Sequence, residues 1–263
     1  METRKLTESA CSPSIDFTTM LQRLTQPAAF QGTGSSGDWF QRGSQRDNEP
    51  ITLIQTHASA VVPTANRVYK LKKPKNFGFF DYSTLALRRH FCQQDALLNA
   101  RLAPQVYLGV APVLLFSDAR LRFGPTFSPG DVPLPGTILD GGCIVDYAVV
   151  MVRLPDEAML ECKVRAGTAD SSLLAKIARS VAAFHATAQT DEHIASFGRL
   201  EVIGGNWEEN FAQMRPFIGR TLDTLTYDCI VAYIRRFMEE RALLFASRVE
   251  DGHIRDCHGD LLL

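Results

Sequence analysis

The sequence has no stretch approaching the roughly 18 consecutive apolar residues that a membrane-crossing helix requires, which excludes an integral helical membrane protein. Its six cysteines, Cys11, Cys92, Cys143, Cys162, Cys229 and Cys257, are widely scattered, with no CxxC pair and none of the regular spacings of a zinc site or a disulfide framework. Six reduced thiols in a cytosolic setting are therefore expected. Arg4 and Lys5 stand near the N-terminus with no apolar segment behind them, so a secretory signal is not expected and the location is expected to be cytoplasmic. An excess of one charge is also missing: 28 Lys and Arg face 29 Asp and Glu, a net charge of -1. A balanced chain has no general attraction for nucleic acid or an anionic membrane, so neither is expected as a partner and any basic site must be local. No internal repeat is visible, which removes solenoids and propellers.

What is present is an ordinary globular composition, with 263 residues, 45% hydrophobic and 22% charged, enough for one large domain or two lobes. Residues 1–50 are expected to be mostly disordered or flexible, with a short helix near 17–30 carried by Met20, Leu21 and Leu24 and stopped at Pro27. From Ile51 the chain becomes β-branched and apolar, and two strands joined by a turn at Pro63 to Asn66 are the simplest reading. Residues 84–102 lack Gly and Pro and place Leu87, Phe91, Ala96, Leu98 and Leu102 at helical spacing. Strands are expected at 106–116, 120–127 and 143–152, then helices at 171–188, 207–218 and 227–248. Strands with one helix first and helices afterwards predict an α+β fold in two lobes, 51–155 and 156–263. A cleft between lobes is the natural ligand site.

Four segments carry candidate chemistry. In VYKLKK, strand periodicity puts Val68, Lys70 and Lys72 on one face and Tyr69, Leu71 and Lys73 on the other. A lysine on the covered face of a strand needs an anion, which makes Lys70 the first and Lys72 the second choice for contacting phosphate; the plain alternative is a solvated edge strand. Asp95 is the only acidic residue between Asp81 and Asp118 and sits in the middle of the following helix, where it can face such a lysine. The apolar strand CIVDYAVVMV lies where a hinge between lobes would lie, and the backbone of Val150 to Val152, centred on Met151, is placed to offer an edge to an adenine. His185 falls on the apolar face of its helix and reads as a packing residue. Near the end, His258-Gly259-Asp260 follows a polar turn and precedes an apolar run, the way a kinase-type catalytic aspartate is presented to a phosphoryl acceptor.

Taken together, LTQPAAF, QTHASAVV, the long block VYKLKKPKNFGFFDYSTLALRRHFCQQDALLNARLAPQVYLGV, YAVVMVRLP, GGNWEENF and RDCHGDL resemble the aminoglycoside phosphotransferase-like branch of the protein-kinase fold. The resemblance is to bacterial proteins in which this domain is often fused to a C-terminal P-loop ATPase domain. It implies a two-lobed protein-kinase-like fold and an ATP-dependent phosphotransferase acting on a small-molecule hydroxyl. By that resemblance Lys70 or Lys72 contacts phosphate, Asp95 anchors it, Asp260 is the catalytic base and His258 braces the loop. ATP and Mg²⁺ are the implied cofactors, and a fused or separate P-loop ATPase domain is an implied partner. The chain departs from the pattern in having Asp95 where Glu is usual, Leu262 where His is usual, and the turn Pro63 to Asn66 in place of a Gly-x-Gly-x-x-Gly loop. The metal ligands of such a loop would follow residue 263, so a truncated chain inactive as it stands is expected. The competing expectation is a catalytically dead kinase-like module that binds a nucleotide or a partner.

Overall fold

The computed structural model describes residues 15–30, 52–78 and 80–259. The chain divides into two units, Met1–Arg165 and Ala166–Leu263. The break follows Arg165 rather than residue 155 because the short helix Leu160–Arg165 remains with the first unit. Unit 1 carries the strands and unit 2 is helical, so the described chain has an α+β composition.

In unit 1 the first element is α1 (Phe17–Leu24), started by Asp16, whose carboxylate accepts the Thr19 N–H at 2.8 Å. Met20, Leu21 and Leu24 are buried along one face, and Ala29 and Phe30 of the 3-10 turn Pro27–Phe30 extend that surface. The short helix expected near 17–30 is thus present, and its apolar face is built into the core. The flexibility expected for residues 1–14 and 31–50 lies outside the described residues.

Among the described residues seven strands form one antiparallel sheet: β1 (Ile54–Gln55), β2 (Ser59–Pro63), β3 (Arg67–Lys72), β4 (Tyr107–Leu115), β5 (Leu121–Phe123), β6 (Ile138–Leu139) and β7 (Gly142–Val152). The order is β1-β2-β3-β7-β4-β5, with β6 paired to β7. Each apolar side chain on the sheet needs cover, and both faces receive it. Tyr69, Leu71, Val113, Phe123 and Val150 pack with α1 and Phe30, where the Tyr69 and Phe123 rings stack at 4.1 Å between centroids. The opposite face of the sheet presents Val110, Leu114, Ile144, Tyr147 and Val149 to α2 (Leu85–Ala100).

Helix α2 starts where Thr84 caps the Leu87 N–H at 3.2 Å. Its buried side follows the apolar series expected from spacing only in part: Ala96 is buried and Leu87, Phe91 and Leu102 are half-buried, but Leu98 is 38% exposed, and Arg88 and Cys92 take the other buried positions. The reason is electrostatic, because the sheet presents Asp146 to this helix and a guanidinium is required there. At β4 a register shift between Tyr107 and Gly109 requires glycine: φ is +138°, and a Cβ would lie 2.2 Å from the Phe127 carbonyl oxygen.

Unit 2 contains α4 (Ser171–Thr187), α5 (Glu192–Ser196), α6 (Leu200–Met214), α7 (Thr224–Glu240) and α8 (Ala242–Glu250), following α3 (Leu160–Arg165) of unit 1. Asp170, Asp191 and Asp223 cap three of them through the N–H groups of Leu173, Ile194 and Thr226. The single long helix expected over 227–248 is two, separated at Arg241. Phe211 and Tyr227 are buried against each other, and the Tyr227 hydroxyl donates to the Phe211 carbonyl at 3.2 Å. His185 is exposed rather than packed, and Leu174 on the same helix, Leu225 on α7 and Leu243 on α8 are also exposed. No helix among the described residues is long and apolar enough to cross a membrane. Cys92, Cys162 and Cys229 carry free thiols, but Cys143 is disulfide-bonded, so the expectation of six reduced thiols fails there.

Candidate functional site

Strand alternation places Lys70 and Lys72 beneath α2, while Tyr69 and Leu71 point to the α1 side. The register fixes the neighbours. Lys70 is opposite Val149 of β7, and Val68 is opposite Met151, so all four residues lie on one face. From above, α2 supplies Asp95. Its Oδ2 receives the Lys70 ammonium at 3.0 Å and the Lys72 ammonium in a direct hydrogen bond, so two cations share one carboxylate oxygen. The other oxygen is occupied as well, accepting from Asn99 Nδ2 at 3.0 Å.

Exposure separates the two lysines. The side chains of Lys72 and Asp95 are 8% and 9% exposed, whereas that of Lys70 is 31% exposed. Lys72 is further enclosed by the Tyr82 ring, whose centroid lies 5.4 Å from Nζ. Burial pushes the Asp95 carboxyl up, but Lys72 and then Lys70 outweigh it and hold the group below its ordinary value. Burial raises the Tyr82 and Tyr107 phenols, and the nearby Asp95 charge adds to both shifts. Lys73, by contrast, is spent on the Thr56 carbonyl at 2.7 Å.

Two ammoniums against one carboxylate leave the cluster with a surplus positive charge beside the accessible Lys70. The cost of desolvating a charge makes such a surplus unfavourable unless an anion completes it. Lys70, Lys72 and Asp95, the residues picked out from strand and helix periodicity, are thus brought together. Met151 is half-buried and packs into the α2-side cluster with Val149 and Tyr107. Its backbone differs from the expected open edge, because β7 lies between β3 and β4 and is laddered to both through Val152. The first residues past that ladder are Arg153, whose N–H already bonds the Asn66 carbonyl at 3.0 Å, and Leu154, which is 46% exposed. His258 is half-buried, and Asp260 lies outside the described residues.

Sequence reading missed the buried pair Arg88 and Asp146. Arg88 Nε donates to Asp146 Oδ1 at 2.8 Å, and Nη1 donates to the carbonyls of Tyr82 and Ser83 at 3.1 and 3.2 Å. Asp146 also accepts the Tyr147 N–H at 2.8 Å. Burial pushes its carboxyl up to about 6 against the opposing pull of Arg88. A signal was available: one aspartate inside the apolar run CIVDYAVVMV demands a buried partner. Tyr82 and Tyr107 were missed for a different reason, since nothing in their spacing ties them to β3.

No protein-family model matches the chain. An uncharacterized protein of Mycobacterium bovis and uncharacterized proteins of two Mycobacterium tuberculosis strains are each 32% identical to it over 216 residues, covering 82% of this chain and 39% of theirs. The chain therefore spans about two-fifths of the length of these curated relatives. No solved structure matches it.

Proposed function

We propose that this chain carries the nucleotide-binding part of an ATP-dependent phosphotransferase, of protein-kinase-like fold, acting on a small-molecule hydroxyl. The observation that carries the reading is the pair of strand lysines sharing the one buried helix carboxylate of Asp95. Phosphoryl transfer from a nucleotide demands strict placement of cations on the phosphates and little covalent work from the protein. Here Asp95 fixes both ammoniums, Lys70 meets the phosphate from the solvent side, and Lys72 lies preorganised beneath it. The strand lysines paired to a carboxylate on the following helix, in an antiparallel sheet followed by a helical unit, support the kinase-like reading. Asp260 would orient the acceptor hydroxyl and accept its proton. ATP supplies the transferable phosphoryl group.

Among the described residues no group of three His, Cys, Asp or Glu side chains stands together to hold a metal. Mg²⁺ is the cofactor that the resemblance implies. The extra length of the relatives leaves room for the P-loop ATPase domain that the resemblance implies as a partner.

The charge count yields the test. Removing either lysine leaves the other neutralised by Asp95, so Lys70→Ala and Lys72→Ala should each weaken ATP binding by roughly tenfold to a hundredfold, the worth of a lost charge-assisted contact. Calorimetric titration with Mg·ATP measures this, and unchanged affinity in both folded variants refutes the phosphate site. A module that binds a nucleotide without turnover would use the same lysines. Asp260→Asn separates the two readings, because it abolishes turnover and spares binding only in an enzyme.

A further inference from the structure

The Arg88 and Asp146 pair has no part in phosphate binding, yet it is among the most enclosed polar contacts of unit 1, with Arg88 8% and Asp146 1% exposed. Burying a guanidinium and a carboxylate together contributes little net stability compared with a well-packed apolar pair. What such a pair does provide is direction, through hydrogen bonds of fixed geometry. Those bonds join three parts of the structure: β7 through Asp146, α2 through Arg88 itself, and the loop entering α2 through the Tyr82 and Ser83 carbonyls.

Each of these parts leads to the lysine cluster. Arg88 and Asp95 are seven residues apart on α2, about two turns, and therefore share the face turned to the sheet. Cys92 and Ala96, buried on that face, keep the helix close but carry no directional bond strong enough to set its rotation; the Cys92 thiol reaches the Tyr147 carbonyl only at 3.6 Å. Tyr82, whose carbonyl Arg88 holds, places its ring over the Lys72 ammonium. A small rotation or slide of α2 would pull Asp95 away from Lys72 and Lys70 and carry Tyr82 off Lys72.

We propose that Arg88 and Asp146 are positioning residues, a buried bolt between α2 and β7 that sets Asp95 and Tyr82 against Lys72 and so preorganises the phosphate-binding lysines. This role rests on the phosphate-site reading for its consequence, though not for its geometry. The test is carried out on the full chain with Arg88→Lys, which keeps the charge but cannot span Asp146 and both carbonyls. Carbon-13 NMR of the aspartate carboxyls follows the titration of Asp95. The expected result is a rise of the Asp95 midpoint from its depressed position, together with about a tenfold loss of Mg·ATP affinity. Because the charge is conserved, such a rise reports displacement of the helix.

The double variant Arg88→Met, Asp146→Leu, which replaces the pair by apolar packing, serves if Arg88→Lys does not fold, and should show the same rise. An Asp95 midpoint unchanged in either folded variant overturns the proposal. If the parent chain fails to bind ATP while its Asp95 midpoint still responds to Arg88, the phosphate-site reading falls and the positioning role stands.

Discussion

Asp95→Ala is the most informative single change, because one carboxylate oxygen serves two ammoniums. Without it Lys72, at 8% side-chain exposure, is left as an unpaired buried cation beneath the Tyr82 ring, with the like charge of Lys70 beside it. Breaking a buried pair by removing one partner costs about 3–5 kcal/mol. Lys70 adds little to that figure, since at 31% exposure water screens it. A loss of about 3 kcal/mol is therefore expected, which for a unit of this size lowers Tm by roughly 6–12 °C. Far-UV circular dichroism during urea and thermal unfolding measures it. The cost arises from the stranded charge and not from the missing contact alone, so adding Lys72→Met should recover about 2 kcal/mol in the Asp95→Ala background. Two results would refute the reasoning: Asp95→Ala unfolding within about 0.5 kcal/mol of the parent, or a second substitution that deepens the loss.

Three further outcomes are expected. Asp146 is raised from 3.8 to about 6, so the folded state holds its proton more tightly than the unfolded chain. Its contribution to stability is full below pH 3.8 and is lost as pH rises through about 6, so the parent should lose stability relative to Asp146→Asn across that window and run parallel to it above. Urea midpoints at a series of pH values check this, and the opposite slope contradicts it. Asp95, held low, has the opposite sign: its contribution is present above pH 3.8 and is lost as pH falls through its folded value. Gly109→Ala should destabilise by about 2–3 kcal/mol, because the new methyl would meet the Phe127 carbonyl oxygen at 2.2 Å and φ is +138°; a neutral result in denaturation would show that the strand shifts freely there.

Strand and helix periodicity alone determined a great deal of this protein. Alternation in VYKLKK put Lys70 and Lys72 on the face opposite Tyr69 and Leu71, and the mid-helix position of Asp95 made it a partner in reach. These are local properties, set by the geometry of a pleat and of a helical turn. The buried face of α2 was legible only in part: Ala96 is buried as expected, but Leu98 looked like core and remains exposed, while Arg88 went inside. Hydrophobic spacing measures the average preference of a face, but a single buried aspartate outweighs several leucines in deciding which way a helix turns. Likewise the run through Val150 to Val152 read as an open edge because sequence cannot show that β4 ladders β7 on the side away from β3. The residue types and their periods identified the lysines and the carboxylate. Only the packing of α2 across β3 and β7 decided that one oxygen would serve both lysines, that Lys70 would stay in reach of solvent, and that Arg88 would be the bolt, because those outcomes depend on contacts between residues far apart in the chain.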